Sequence, residues 1–276
     1  MIKIMVDSAA DCRGETDIYD LLVPLTVQLE DRTYRDGVDL DADAFYSMLL
    51  QTESFPKTSQ PSPEDFYKHF LQAKEAGDEI IYFSLSSALS GTYQSACIAR
   101  EMAEYDGIYI VDSKAATYLI AILAKHARAL AQQGLPAQQI VEACEELKPR
   151  IKVLAGLDTL EYLYRGGRLS RTGAAVGQVA GIKPIITVSP EGTVSVGSKA
   201  IGIPRAMKAI IDKLSTYQLD EAFPLLSVCT AVGNNPERFE EKLAAAGYRV
   251  ADRRQVGPII GAHTGPGVYG VIFVTR

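Results

Sequence analysis

Short apolar runs that end in Asp or Ser alternate with helix-period segments through the first half of the chain, and this order leaves few architectures open. Ile2 to Val6, Leu22 to Leu29, Glu79 to Leu85 and Ile108 to Val111 read as strands. Between them, Asp41 to Leu50 opens on a capping Asp and places Phe45, Met48 and Leu49 at helical spacing. Ser62-Pro63-Glu64-Asp65 supplies a capping hydroxyl, a proline at the first helical position and acids in the first turn. Ala115 to Gln133 predicts a long, mostly apolar helix stopped at Gly134, and Pro136 opens another that runs to Leu147. Burial between a sheet and a further layer explains the alanine content of the first of these. Strand and helix in alternation are α/β order.

The second half changes texture. Lys183 to Val188 and Thr193 to Lys199 flank Ser189-Pro190-Glu191-Gly192, a strand–turn–strand signal that implies antiparallel pairing. Pro204 to Leu214, Phe223 to Ala231, Pro236 to Ala246 and Tyr248 to Arg253 then read as helix, strand, helix and strand. Ile259 to Ala262 and Val268 to Thr275 read as two closing strands around a glycine-rich turn. The expected fold is therefore α/β with two lobes: one over 1–155 and a second with a mixed sheet backed by helices over 156–276.

At 276 residues, 47% of them hydrophobic, the chain is long enough for two such lobes. Met1 to Asp7 lacks a charged leader followed by a long apolar region, so it reads as a strand and a cytoplasmic location is expected. The apolar stretch Ala115 to Ala124 is about half of the ~20 residues that a membrane span needs. A net charge of −6 repels a phosphate backbone, so no nucleic-acid partner is expected. The four cysteines stand singly and the three histidines form no HxxxH pair, so neither a disulfide framework nor a metal site is expected.

Four segments offer small residues and exposed donors at element ends. Lys57-Thr58-Ser59-Gln60-Pro61-Ser62-Pro63 sets Thr58 and Ser59 ahead of a proline-stiffened helix, where capping alone is a sufficient explanation. Ser86 to Gln94 follows a strand and opens a helix. Free N–H groups there attract an anion, Ser90 and Thr92 add donors, and Gly91 lets a ligand approach the backbone. The segment matches neither GxGxxG nor GxxxxGK(S/T), so no nucleotide is indicated. Tyr164 to Arg171 spaces Arg165, Arg168 and Arg171 around a glycine pair, suited to a carboxylate or phosphate. Gly257 to Gly267 carries His263 and Thr264 in a turn.

In series, Val6-Asp7-Ser8, Thr58-Ser59-Gln60-Pro61, Leu89-Ser90-Gly91-Thr92-Tyr93, Val111-Asp112-Ser113, Gly166-Gly167-Arg168-Leu169-Ser170 and His263-Thr264-Gly265-Pro266-Gly267 resemble the DegV family over nearly the whole chain. These are fatty-acid-binding proteins that serve as the substrate-presenting subunit of bacterial fatty-acid kinase. The resemblance implies one DegV-type unit over 1–276, a Rossmann-like parallel-sheet lobe joined to a second α/β lobe, with a long-chain fatty acid in a tunnel between the lobes. It further implies a ligand-binding set of Thr58, Ser59, Ser90, Gly91, Arg168, His263 and Thr264, with no catalytic residue and no cofactor. ATP is expected to bind a separate kinase catalytic subunit, and transient contact with a membrane surface is an expected further partner. One departure is visible: Ala116-Thr117-Tyr118-Leu119-Ile120 stands where smaller residues and a glycine are expected, which implies a shortened or redirected tunnel. The alternative is a hydrolase or transferase using Ser90 as nucleophile and His263 as base, although no G-x-S-x-G elbow is present.

Overall fold

A computed structural model describes residues 1–169, 181–230 and 232–276; Ser170 and Arg171 of the arginine–glycine segment lie outside them. In the N-terminal lobe, β1 (Ile2–Asp7) and β6 (Glu79–Ser84) form the centre of a parallel four-stranded sheet, with β2 (Leu21–Val23) and β7 (Ile108–Asp112) at its edges. Helices α2 (Pro63–Ala76) and α3 (Thr92–Ala103) cover one face and bury Phe66, Phe70, Ala96 and Ala99 against Met5, Ile80 and Tyr82. On the other face lie α4 (Tyr118–Gln132) and α5 (Ala137–Leu147). Local chemistry starts these helices where expected. Asp41 accepts from Ala44 N at 2.8 Å to open α1 (Ala42–Leu49), and Ser62 with Asp65 forms a capping box at α2.

The stretch expected as one strand over Leu22 to Leu29 is two. Pro24 has no N–H to offer a ladder, and after Val23 the chain leaves the parallel sheet. It resumes as β3 (Thr26–Leu29) in a three-stranded antiparallel sheet with β4 (Arg32–Arg35) and β5 (Lys57–Ser59). Thr58, expected in a loop, is thus held opposite Val27.

The C-terminal sheet runs β10 (Val194–Ile201), β9 (Ile182–Val188), β8 (Ile151–Gly156), β13 (Tyr269–Val274), β11 (Leu226–Cys229), β12 (Asp252–Gln255). Its described pairs are antiparallel except β11 with β12. Tyr269, Val271 and Phe273 pack outward with α7 (Ile203–Leu214) and α8 (Asn235–Ala245), while the alternate Ile272 and Val274 join the core around α4. Both sheets therefore close on α4, whose Ala121, Ala124 and Ala127 are fully buried. Its small residues let the flanking layers approach.

Ile259 to Ala262 is not a strand. It lies in α9 (Pro258–Thr264), with Gly257 as N-cap and Pro258 in the first turn. A short apolar run has no period of its own, and the proline at the first helical position was the signal that separates the two readings. Among the described residues no helix is long and apolar enough to cross a membrane.

Candidate functional site

The carboxyl ends of β1, β6 and β7 face α9 and the β9–β10 turn, and there the lobes flank a cavity of about 310 Å3. Crevices at the carboxyl ends of parallel strands are the usual ligand sites of such sheets. Leu25, Leu85, Leu89 and Ala116 supply apolar wall from the N-terminal lobe, and Leu163, Val194, Ile259 and Ile260 from the C-terminal lobe. Set among them are Thr58, Ser59, Gln60, Ser90, Arg168, His263 and Thr264. A mainly apolar hollow with a few convergent polar groups is the physical form of a small-molecule site.

The polar groups are organised around His263. Its Nε2 lies 2.8 Å from Thr58 Oγ1, joining α9 to β5, and its buried Nδ1 has no partner among the described residues. An orphaned buried N–H is rarer than an orphaned acceptor, so the favoured neutral tautomer carries its proton on Nε2 and donates to Thr58. The Thr58 hydroxyl proton is then free to point into the cavity. Burial, reinforced by the Arg168 guanidinium, lowers the His263 pKa to about 4, so the ring is uncharged at neutral pH.

Arg168 is half-buried. It donates from Nε to Leu89 O at 2.9 Å and from a terminal nitrogen to Gly166 O at 2.6 Å. It thus ties the Ser86–Thr92 loop to the end of α6 (Glu161–Arg165), and no carboxylate among the described residues pairs with it. Beside it, Ser90 Oγ lies 2.8 Å from Thr92 Oγ1 at the mouth of α3. The site therefore presents hydroxyls, a neutral imidazole and the Arg168 guanidinium, which has no acid partner among the described residues, a set that suits an anionic head group.

The Asp-Ser pairs that end β1 and β7 are struts for these loops. Asp7 accepts from Leu85 N at 2.7 Å and from Tyr82 OH at 2.7 Å, and Ser8 Oγ accepts from Leu25 N at 3.0 Å. Asp112 accepts from Ser87 N and Lys114 N, each at 3.1 Å. Burial raises the Asp7 pKa to about 6 and that of nearby Asp36 to about 7. The folded chain then keeps protons that the unfolded chain releases above about pH 4. Stability from this source is fullest at low pH and is lost as pH rises through 6 to 7. Asp36→Asn is expected to flatten the fall in stability between about pH 4 and 7 and to leave the variant more stable than the parent at pH 8. Urea midpoints across that range measure it, and a profile parallel to the parent's would count against the buried-acid account.

The sequence model of the family described as "Uncharacterised protein, DegV family" matches residues 1–276. The chain belongs to the DegV family. A DegV domain-containing protein of Caldanaerobacter subterraneus subsp. tengcongensis is 35% identical over 279 residues, covering 99% of this chain and 98% of that one. Among solved structures, the chain is similar to a DegV lipid-binding protein of Thermotoga maritima, at 30% identity, a TM-score of 0.83 and coverage of 99% and 98%. It is also similar to a fatty-acid-binding DegV family protein of Thermus thermophilus, at 27% identity, a TM-score of 0.87 and coverage of 100% and 99%.

Of the residues that the DegV resemblance singled out, Thr58, Ser59, Ser90, Arg168, His263 and Thr264 line the cavity. Thr264 spends its hydroxyl on Ile260 O at 3.1 Å. Gly91 does not line the cavity; it is the N-cap of α3, with the Gln60 amide packed on its Cα. Gln60, Leu163, Val194 and the α9 isoleucines are not among the expected site residues; of these, Gln60 in the Thr-Ser-Gln-Pro block and Leu163 in Leu160-Glu161-Tyr162-Leu163 stand in segments that carry the DegV resemblance. Tyr118 does not narrow the cavity. Its hydroxyl donates to Glu15 at 2.8 Å and the Arg254 guanidinium stacks 4.1 Å from its ring centre. Arg165 turns away as well, paired with Glu161 and stacked over Phe55. Ser90 and His263 bond to Thr92 and Thr58 respectively and not to each other, so a Ser–His dyad is not assembled.

Proposed function

We propose that this DegV-family protein binds a long-chain fatty acid in the inter-lobe cavity and presents its carboxyl group to an ATP-dependent fatty-acid kinase. The observation that carries the reading is the pairing of an apolar wall with the Thr58–His263 hydrogen bond and Arg168 in one cavity. The lipid and fatty-acid ligands of the Thermotoga maritima and Thermus thermophilus relatives support it.

Sequestering some fourteen methylenes at ~0.8 kcal/mol each offers on the order of 10 kcal/mol before ordering costs. The head group needs only to be oriented. Thr58 donates to one carboxylate oxygen, with its own oxygen satisfied by His263 Nε2–H, and Ser90 donates to the other. Arg168 offsets the buried charge, which desolvation would otherwise drive toward the protonated form. After phosphoryl transfer the same guanidinium meets the added phosphate. No nucleotide-binding motif occurs in the chain, so ATP is assigned to the kinase partner.

One experiment tests both halves. Palmitate titrated into delipidated protein is expected to bind Thr58→Ala/Ser90→Ala at least about tenfold more weakly than the parent. With kinase and ATP added, Arg168→Ala is expected to slow acyl-phosphate formation by about tenfold or more. Unchanged affinity in the double variant removes the head-group assignment, and unchanged phosphorylation in Arg168→Ala removes the presenting role of that residue.

A further inference from the structure

Thr117, the N-cap of α4, stands at φ 53° and ψ −151°. Glycine occupies this region readily and β-branched side chains avoid it, so the conformation persists only if its surroundings impose it. What imposes it is visible. Thr117 Oγ1 donates to Asp11 Oδ2 at 2.6 Å, and Asp11 closes the short turn that follows β1. The other Asp11 oxygen packs against the Cα of Gly257 at the start of α9, where an added Cβ would lie 2.4 Å away. The Asp11 carboxyl group thus braces the end of β1, the start of α4 and the start of α9.

Two of those segments reach the cavity wall. Ala116, next to Thr117, lines it, as do Ile259 and Ile260 of α9. On the far side of the strained turn, Ala115 O accepts from Ser86 N at 2.9 Å, and Ser86 Oγ donates to Gly192 O at 2.8 Å in the β9–β10 turn. A shift at Thr117 has no slack to absorb it before it reaches Ala116.

We propose that Asp11 and Thr117 are a positioning pair for the ligand cavity: their hydrogen bond locks the strained turn, and the turn fixes how far Ala116 stands into the space that an acyl tail occupies. The proposal rests on the fatty-acid reading and deepens it, since a fixed wall selects among tail lengths. Glycine at 117 would make the same turn without the lock, and serine would keep the lock.

The test measures affinities of the parent, Thr117→Ser, Thr117→Gly and Thr117→Val for saturated fatty acids graded from lauric to arachidic, with a melting temperature for each protein. The expected result is a steep length profile in the parent and Thr117→Ser. In Thr117→Gly, relief of strain offsets the lost bond and the melting temperature holds, while the spread between best and worst tail shrinks by about tenfold. Thr117→Val takes the hydroxyl bond from Asp11, melts several degrees lower and shows the same flattened profile. A purely structural role would move melting temperatures and leave the profile alone. A Thr117→Gly profile identical to the parent's overturns this inference and leaves fatty-acid binding standing, whereas a parent that takes up none of the acids overturns both.

Discussion

Gly270→Ala is expected to cost about 3 kcal/mol of folding stability or more and to lower the melting temperature by roughly 10 °C. Gly270 lies in β13, between β8 and β11, opposite Ala155 on one side and Val228 on the other. A Cβ there would stand 2.4 Å from Leu154 O and 2.7 Å from Ala155 Cα. Both are backbone atoms of a neighbouring central strand, so no side-chain rotation can make room. Relief requires β8 and β13 to part, which breaks their ladder and disturbs the core packed around α4. Thermal unfolding of the variant gives the answer, and a melting temperature indistinguishable from the parent's would mean that the strands are less closely set than described.

Gly166→Ala should act on the ligand more than on the fold. Gly166 caps α6 at φ −73°, a conformation any residue adopts, so backbone geometry makes no demand for glycine there. The demand comes from His263. An added Cβ would lie 2.1 Å from its Nδ1 and 2.8 Å from its Cε1. The imidazole must move, and its 2.8 Å contact with Thr58 is the bond that breaks. The expected loss is about 1–3 kcal/mol in stability and about tenfold or more in fatty-acid affinity. Unaltered affinity, with the Thr58–His263 contact intact in a crystal structure of the variant, would show that the imidazole has room to spare.

Much of this arrangement is legible in the sequence because its signals are local. Strands ending in Asp-Ser, the Ser62-Pro63 helix start and the Ser189–Gly192 turn each declare an element from adjacent residues. The polar blocks around Thr58, Ser90, Arg168 and His263 are recognisable in series, and the fold brings them to one cavity. What stays hidden depends on partners far apart in the chain. Nothing near Tyr118 announces that Glu15 and Arg254 draw its ring aside, so its bulk alone suggested an obstruction that does not arise. Nothing in Gly-Gly-Arg tells that its first glycine is shaped by an imidazole 97 positions away, since His263 and Gly166 meet only in the folded chain (263 − 166 = 97). Ile259 and Ile260 were misread for a different reason: a short apolar run fits strand and buried helix alike, and their place in the wall follows from the helix.

The central claim is that the inter-lobe cavity holds a fatty acid by its carboxyl group, and mass spectrometry of an organic extract tests it most directly. Parent protein purified without added lipid and Thr58→Ala/Ser90→Ala prepared in parallel would be extracted and compared. The account predicts near-stoichiometric fatty acid from the parent and loss of most of it from the double variant. A parent extract free of fatty acid, from protein that also takes up none when it is supplied, would contradict it.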